Sequence, residues 1–451
     1  MAITTTWTVT LQQYNDSIDV TSRTYGATIN QEVSVGAVGV STATIEIDNN
    51  DGAFTPFNGG TYSNVDFFAY ALIIDVTVSD GVTNYQRNVY GGVINDFKLN
   101  DNGINSTITL SAVDGITIAG RSEIGYANLN PSLYFASTMR GAITLLLDGW
   151  TSGGNVLLEE VQLPYLGGDD IDTQNVRRDL QTYVTTFEFY GYENYTVADI
   201  LNSSILPAAP GVQFPGEIRF ETVSGTDTTR YRNMIMDTSL VPDATYQKTF
   251  VFAENPTGTE LPFKNLDRGY NMGDVVNAAQ VTRNDPTQFG GAPTETKSYE
   301  STVSIQKYGV RAVEYGTLAI RWDYETVNFG VTEPGAQQVA ERWANRYDTP
   351  RFLTKRLTVT AKQVDAVASS TAAEQWADYL HCETGLWNIG QVIYTPTGGT
   401  ERIDDVVVAS RKINITPQDA VVTVYCLPLN DNMSFVLDSS TLGVLDTNRL
   451  G

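Results

Sequence analysis

Residues 41–52 read STATIEIDNNDG and carry the clearest secondary-structure pattern of the chain. Ala43, Ile45 and Ile47 alternate with polar residues, which is the period-two pattern of a strand that buries one face. The strand ends at residues 48–52, because Asp, Asn and Gly tolerate turn conformations. We therefore expect a strand and a tight turn, in a sheet that packs one face on a core.

The same alternation recurs through the first hundred or so residues, with turn signals between the segments and no helical pattern. Gly91 and Gly92 lie together inside an apolar strand, which indicates a bulge or a close backbone approach. This region is therefore predicted to be a β-barrel or sandwich. Its strands are expected at residues 4–12, 41–47, 72–78, 90–94 and 108–114.

The rest of the chain mixes helical and extended patterns. The clearest helix is predicted to begin at Glu333-Pro334, because Val339, Trp343 and Tyr347 recur at helical spacing. Residues 298–311 are expected to be extended. Other helices are expected at 137–149, 196–205 and 372–380, loops at 207–215 and 256–262, and strands at 275–283, 391–394, 405–410 and 420–427.

The composition excludes several functions. The 451 residues include 28 Lys+Arg and 52 Asp+Glu, a formal net charge of −24, and 41% of them are apolar. This length suggests about three domains, and the apolar fraction is ample for packed cores. Tight binding of a nucleic-acid backbone is excluded, because that affinity comes from Lys and Arg. A single histidine cannot supply paired zinc ligands and makes a His-based triad improbable.

The cysteines and the hydropathy bound the cellular context. Cys382 and Cys426 are too few for a secreted disulfide scaffold. We expect two reduced, buried thiols, and one bridge between them is the alternative. No signal-peptide pattern opens the sequence, and no run of apolar residues reaches membrane-spanning length. Synthesis and folding in a cytoplasm, without membrane insertion, are therefore expected.

The segments that could carry chemistry each have a simpler interpretation. Residues 48–52 lack the spacing of a calcium loop and are predicted to be a turn. The carboxylate doublets Glu159-Glu160 and Asp169-Asp170 are interpreted as solvated surface rather than a glycosidase pair. His381-Cys382 is interpreted as a packed helix end, because adjacent residues on one element rarely form a nucleophile pair. The prediction is therefore no catalytic residue, no metal ligand and no cofactor.

Aromatic residues form two further groups. Trp343, Tyr347, Trp376 and Tyr379 have helical spacing and are expected in the core rather than in a binding platform. The stretch FEFYGYENY at residues 187–195 is compatible with buried strand aromatics and, as the alternative, with a surface that stacks on sugar rings.

Three segments together resemble the minor tail and tail-hub proteins of long-tailed bacteriophages, the siphophages. Residues 49–58, NNDGAFTPFN, are similar to a family pattern Asn-x-Asp-Gly-x-Phe-x-Pro-x-Asn, and VYGGVINDF follows at 89–97. The second segment is SIQKYGVR at 304–311 with the helix and strand of 338–357. The third is the end of the chain, from IGQVIYTPTGG at 389–399 to FVLDSSTLGVLDTNRLG at 435–451.

The resemblance implies a mainly β fold with α+β parts. It implies two tail-tube-like β-barrel domains, at 1–118 and 267–451, and one or two small helix-containing domains at 119–266. Hub proteins of this kind form homotrimers whose six barrels make a pseudo-sixfold ring, a structural and non-enzymatic role. The expected partners are distal tail and tail-tube proteins, a tape measure protein, and tail fibres or tip-closing proteins. Genomic DNA is expected only as cargo passing through an acidic lumen, at the virion tail tip.

The resemblance also leaves alternatives. The chain could be a hexameric distal tail protein or a fibre-attachment or receptor-binding protein of the tail tip. Outside structural proteins, a cell-wall hydrolase and a carbohydrate-binding module in the middle of the chain remain. Some hub proteins hold an iron–sulfur cluster with C-terminal cysteines, and two cysteines make that feature improbable here.

Overall fold

A computed structural model describes both outer parts of the chain and short segments between them. The described residues are 3–13, 16–32, 40–103, 105–114, 117, 135–136, 150–152, 155–158, 171–172, 186–189, 216–223, 226–233, 249–269, 272, 275–284, 293–316, 320–323, 340–341, 344, 348–350, 353–367, 369–382, 385–386 and 388–428.

Residues 3–114, here called the N-terminal half, contribute seven strands to one antiparallel sheet. Their order across the sheet is β2-β1-β5-β6-β7-β4-β3, where the strands are β1 (Thr4–Gln13), β2 (Asp16–Asp19), β3 (Thr24–Gln31), β4 (Ser41–Asp48), β5 (Ala71–Ser79), β6 (Asn84–Asp101) and β7 (Ser106–Val113). The five predicted strands of this region are confirmed. Strands β2 and β3 were not predicted from the sequence. Strand β2 has four residues, of which Ile18 is apolar.

The middle of the chain contributes short strands to small separate sheets. These strands are β8 (Phe135–Ala136), β9 (Trp150–Ser152), β10 (Asn155–Leu158), β11 (Ile171–Asp172), β12 (Thr186–Phe189), β13 (Gly216–Val223) and β14 (Thr226–Asn233). Strand β9 pairs with β10, and β14 pairs with both β11 and β13. The helices predicted at 137–149 and 196–205 lie outside the described residues.

Residues 249–428, here called the C-terminal half, contain the following elements: β15 (Thr249–Ala253), β16 (Leu261–Pro262), β17 (Lys264–Gly269), β18 (Ala278–Asn284), β19 (Pro293–Glu300), α1 (Thr302–Tyr308), β20 (Ala312–Gly316), β21 (Ile320–Asp323), β22 (Leu353–Thr360), α2 (Ala361–Asp365), α3 (Ser370–Leu380), β23 (Asn388–Tyr394), β24 (Arg402–Thr416) and β25 (Asp419–Pro428). Strand β18 pairs with β19 and β20, and β12 pairs with β8 and β21. The other strands of this half join the sheet of the N-terminal half.

The long strand β24 joins the two halves into one sheet of 14 strands. Its first part, residues 402–408, pairs with β23, and its second part, residues 411–415, pairs antiparallel with β3. On its other side β24 pairs with β25, and a register shift between Val408 and Ser410 marks a bulge. Such a bulge bends and twists a strand, which here lets one strand serve two neighbours in succession.

The two-barrel architecture is not confirmed. Among the described strands the path runs open from β2 to β16, with a side branch that ends on β17. The N-terminal sheet would close into a barrel if its two edge strands, β2 and β3, paired with each other. Strand β3 instead pairs with β4 and with β24 of the other half, so its free edge is occupied by β24. The mainly β class is confirmed. The division into three domains stays a prediction.

The prediction that residues 298–311 are extended is only partly right. Residues 298–300 lie in β19 as expected, but the structure places helix α1 at Thr302–Tyr308, between β19 and β20. Tertiary hydrogen bonds decide otherwise, because Asn277 Nδ2 donates to Ser304 Oγ at 3.0 Å and to Gly309 O at 2.8 Å, bracketing the helix.

Other helix predictions fare differently. Helix α3 confirms the one predicted at 372–380. Ser369 is its N-cap, and its side chain accepts a hydrogen bond from Ala372 N. Of the helix expected after Glu333-Pro334, the structure describes Ala340, Glu341 and Ala344 as helical, and the two alanines are fully buried.

Helix α3 packs on β5 and β6 of the N-terminal half. Its residues Trp376, Ala377, Tyr379 and Leu380 are fully buried, in one apolar cluster that contains side chains of both halves. Arg87 of β6 forms an ion pair with the buried Asp378 at 2.8 Å. The cluster is therefore one core shared by residues more than 250 positions apart.

Arg411 of β24 closes the C-terminal end of α3. Its guanidinium is fully buried and donates to the carbonyl oxygens of Tyr379, Leu380 and His381, the last two at 2.9 Å. Nε donates to Gln31 Oε1 of β3 at 2.6 Å. Burial lowers the pKa of Arg411 to about 10, so the group is still protonated at neutral pH. A cation at this end of a helix also compensates the helix dipole.

Replacement of Arg411 tests this connection. The variant Arg411→Met should lose about 3 kcal/mol or more of unfolding free energy, because three carbonyls and Gln31 lose a buried donor. Urea denaturation measures the loss. Arg356→Met is the control, since the pair of Arg356 with Asp267 is half exposed at 3.4 Å, and such pairs contribute about 0–1 kcal/mol. Equal effects of the two replacements would contradict the structural role of Arg411.

Candidate functional site: a polar sheet face and an aromatic loop

The solvent-facing side of the joined sheet is built from short polar side chains. The apolar residues of each strand point to the core, so the alternate residues lie on the outer face. Register pairs Thr28 with Thr44 and Asn414, and pairs Thr44 with Ser111. We call this surface the polar face, and its residues are Thr28, Asn30, Thr42, Thr44, Glu46, Asp48, Asp96, Lys98, Thr109, Ser111, Lys412 and Asn414.

Hydrogen bonds connect the polar face across the joint. Thr28 Oγ1 donates to Asn414 Oδ1 at 3.2 Å, which links β3 of one half to β24 of the other. A further bond joins the hydroxyls of Thr44 and Ser111 at 3.4 Å. Asp48 follows Glu46 on the same side of β4, so three carboxylates and two lysines lie on this face. The face is therefore polar and carries little net charge, although the whole chain carries −24.

A long loop between β4 and β5 is the second distinctive surface. Its residues 49–58 are the motif segment of the sequence analysis. Asn49 is fully buried, its Oδ1 accepts from Phe54 N at 2.8 Å, and its Nδ2 donates to Thr55 Oγ1 and Ser106 Oγ. Gly52 has a φ of 69°, which a side chain rarely adopts. The predicted turn at residues 48–52 is therefore confirmed.

The loop is fixed on the sheet by one ion pair and a stack of rings. Arg23 donates to both carboxylate oxygens of Asp51, at 2.9 and 2.7 Å, and these bonds lower the pKa of Asp51 to about 2. Phe54 is fully buried and stacks on Tyr62, with ring centroids 4.8 Å apart. Phe67 follows in the same row, 6.0 Å from Phe54.

Phe57 projects from this fixed loop into solvent. It is 95% exposed and has a φ of 60°, a left-handed conformation. Next to it lies an open apolar groove of about 430 Å³, lined chiefly by Phe54, Pro56, Val65, Phe67, Phe68 and Phe97. Sequence reasoning did not single out Phe57. The available signal was its variable position inside a segment whose other residues match a family pattern.

Asp114 ends β7 and is the buried carboxylate at the boundary of the N-terminal half. It accepts from Ser41 N at 2.7 Å and from the backbone and hydroxyl of Thr117. Burial nevertheless dominates and raises the pKa of Asp114 to about 6. Asp114 therefore favours the folded state most when it is protonated.

The structure separates the other predicted groups. Trp376 and Tyr379 are buried, as expected for core residues. Cys382 and Cys426 are buried thiols without a disulfide, as expected. Burial raises the pKa of the Cys426 thiol to about 12. Cys382 N donates to Asn88 O at 2.9 Å, so the His381-Cys382 segment packs against β6.

Several predicted groups are not placed. Trp343, Tyr347, the doublets Glu159-Glu160 and Asp169-Asp170, and residues 190–195 lie outside the described part of the chain. Residues 187–189 lie in β12.

Gly92 confirms the predicted close backbone approach. A side chain there would collide with Tyr90 and with the backbone oxygen of Val113.

The described residues contain neither a candidate metal site nor a candidate membrane-spanning helix. Among them, no group of three His, Cys, Asp or Glu side chains could hold a metal ion. No helix in the same part of the chain is long and apolar enough to cross a membrane.

Comparison with solved structures finds phage tail proteins. The chain resembles a 43 kDa prophage tail protein of Shewanella oneidensis at 11% identity, covering 93% of this chain and 98% of that one, with a TM-score of 0.43. A tail protein of Neisseria meningitidis is 8% identical, with 93% of this chain and 96% of that chain covered and a TM-score of 0.43. These solved structures are tail proteins, the class of protein that the three sequence segments also resemble, and their TM-scores are below 0.5.

A third similar structure comes from a secretion system. It is a component of the E. coli type VI secretion system that exhibits structural similarity to bacteriophage tail proteins, with 11% identity, 92% of this chain and 75% of that chain covered, and a TM-score of 0.37. No protein-family model and no curated protein sequence matches the chain.

Replacement of Asn49 tests the loop. The variant Asn49→Ala should lower the unfolding free energy by about 2–3 kcal/mol, because Phe54 N and two hydroxyls lose buried partners. Thermal and urea denaturation measure this. Asn84→Ala, at an exposed position at the start of β6, should change it by less than about 0.5 kcal/mol. A neutral Asn49→Ala would show that the loop does not depend on this side chain.

Asp114 predicts a pH dependence of stability. The folded-state pKa of about 6 lies above the ordinary value of 3.8, so the contribution of this group is fully present below about pH 4 and is lost as the pH rises through 6. The difference in unfolding free energy between the native chain and Asp114→Asn should therefore fall between pH 4 and 6, by at most about 3 kcal/mol, and stay constant above pH 7. Urea denaturation at each pH measures it. A difference that rises with pH would contradict the burial argument.

Proposed function

We propose that the chain is a structural subunit of a phage tail tip, a hub of which three copies form a pseudo-sixfold ring that continues the tail tube. The observation that carries this proposal is the joint between β3 and β24. It makes two β-sheet halves of one chain into a continuous sheet with a shared core, and three such chains supply six halves. The sequence resemblance of residues 49–58 and of the C-terminal segments supports the same role.

The ring would let genomic DNA pass without binding it. Sliding DNA requires a surface without clustered cations, because phosphate contacts by Lys and Arg release counterions and hold the duplex. The polar face fits this requirement, since its hydroxyls and amides are accompanied by only two lysines. The net charge of −24 supports an acidic lumen around it. An assembled ring with Lys and Arg facing the channel would overturn this part of the proposal.

The partners follow from the position in the tail. The ring would contact distal tail or tail-tube proteins on one side and tail fibres or tip-closing proteins on the other, with the tape measure protein in the lumen. Assembly would take place in the host cytoplasm and end at the virion tail tip. The role would be mechanical.

The main alternative is a hexameric distal tail protein or a fibre-attachment protein. This alternative predicts six chains around the axis. In the hub proposal three chains are enough, because each chain supplies two halves of the ring. A hydrolase is the alternative from another class, and zymography on host peptidoglycan tests it, since clearing would contradict the structural role.

Mass and symmetry of the purified assembly test the proposal. One chain has a mass of 49.3 kDa, so a trimer should appear at about 148 kDa and a hexamer at about 296 kDa in native mass spectrometry. Negative-stain images should show a three-fold ring with a central hole. A compact monomer would argue against the hub, and a six-chain ring would favour the distal tail alternative.

A further inference from the structure

In the loop at residues 49–58, several side chains fix the backbone and one side chain projects into solvent. Asn49 and Phe54 are buried, Asp51 is paired with Arg23, and Asn58 bridges the loop by donating to Gly52 O at 3.0 Å and accepting from Gly60 N at 2.9 Å. These residues all hold the loop in place. Phe57 does not, and its exposed ring stands in a strained left-handed conformation.

An exposed aromatic ring on a fixed loop, beside an apolar groove, has the features of a binding hot spot. Such residues anchor interfaces because they bury a large area and lose little conformational freedom on binding. The groove beside Phe57 presents the rings of Phe67, Phe68 and Phe97. Among its described lining residues the charged side chain is Asp66, and no cation is present. The groove therefore favours an apolar element that carries positive charge.

Helix α1 of the C-terminal half has that chemistry. Val303 is 79% exposed and Val310, just after the helix, is 63% exposed. Lys307 and Arg311, both exposed, accompany them. The helix is held rigidly, because Asn277 donates to both its middle and its end. Exposed valines and cations thus lie together on one short, fixed element.

We propose that the groove beside Phe57 in one copy of the chain receives helix α1 of a second copy. Phe57 would pack against Val303 and Val310, and Asp66 would face Lys307 and Arg311. The two surfaces are different parts of the same chain, so the contact is head-to-tail, and head-to-tail contacts generate rings when the rotation closes. The inference rests on the proposed hub and names the contact between its subunits.

Disulfide cross-linking between two variants that each carry one introduced cysteine tests the contact. Full-length Phe57→Cys and Val303→Cys chains are mixed, oxidised and run on a non-reducing gel. The native Cys382 and Cys426 are buried thiols that form no disulfide, so they contribute little. We expect at least tenfold more covalent dimer than in the matched control, Phe57→Cys with Val82→Cys. Val82 is 76% exposed in the hairpin between β5 and β6.

The other outcomes overturn the inference. A yield no higher than that of the Val82→Cys control shows that the groove and α1 do not meet. Dimers formed by Phe57→Cys alone, at higher yield than the mixture, show a reciprocal two-fold contact instead. Three-fold rings without the mixed cross-link overturn this contact and leave the hub intact, whereas a chain that stays monomeric overturns both.

A measurement without cysteines is independent of oxidation. Phe57→Asn keeps the left-handed conformation, which Asn tolerates, and removes the ring. It should weaken self-association by tenfold or more in sedimentation equilibrium, while Val82→Asn leaves it unchanged and both variants keep the native circular dichroism. Equal association of Phe57→Asn and the native chain would overturn the inference.

Discussion

The buried guanidinium of Arg411 is the interaction on which the arrangement of the two halves depends. A buried cation requires partners for its donors, and here three carbonyl oxygens at the end of α3 and the amide oxygen of Gln31 supply them. These partners belong to α3, to the segment after it and to β3. One side chain of β24 therefore fixes a helix of the C-terminal half and a strand of the N-terminal half at once.

The glycine at position 385 belongs to the same constraint. A Cβ at Gly385 would collide with the guanidinium of Arg411 and with the backbone oxygen of Tyr379. Because α3 is held in this way, its aromatic residues fill the shared core, and β24 stays aligned with β3 along five residue pairs. The continuous polar face on the opposite side of the sheet follows from that alignment.

The residues of the loop after β4 have two roles: most of them fix the loop to the sheet, and one faces solvent. Asn49, Asp51 and Phe54 bind the loop to the sheet through amide, ionic and ring contacts, so the position between Pro56 and Asn58 is left to face solvent. A rigid loop makes an exposed ring an effective contact residue, since little ordering is needed when a partner arrives. The charge of the chain is distributed unevenly, because the polar face carries little net charge on a strongly acidic molecule.

Much of the strand content could be predicted from the residues alone. The period-two alternation of β1, β4 and β7 depends only on which side of a strand meets the core, and the turn at 48–52 depends on residues that tolerate its conformation. Strand β3 was not predicted, and its last core-facing residue, Gln31, is a polar side chain buried against Arg411, 380 positions away. Helix α1 was missed because Asn277, outside the segment, supplies the hydrogen bonds that select it.

Local patterns thus determined the class of fold, the turns and the burial of the aromatic residues of α3, because periodicity and turn chemistry act over a few residues. Only the tertiary structure decided that β24 joins the two halves, that the described sheet stays open rather than closing into two barrels, and that Phe57 stands exposed beside a groove. These features depend on contacts between distant residues, and no local spacing in the chain encodes them.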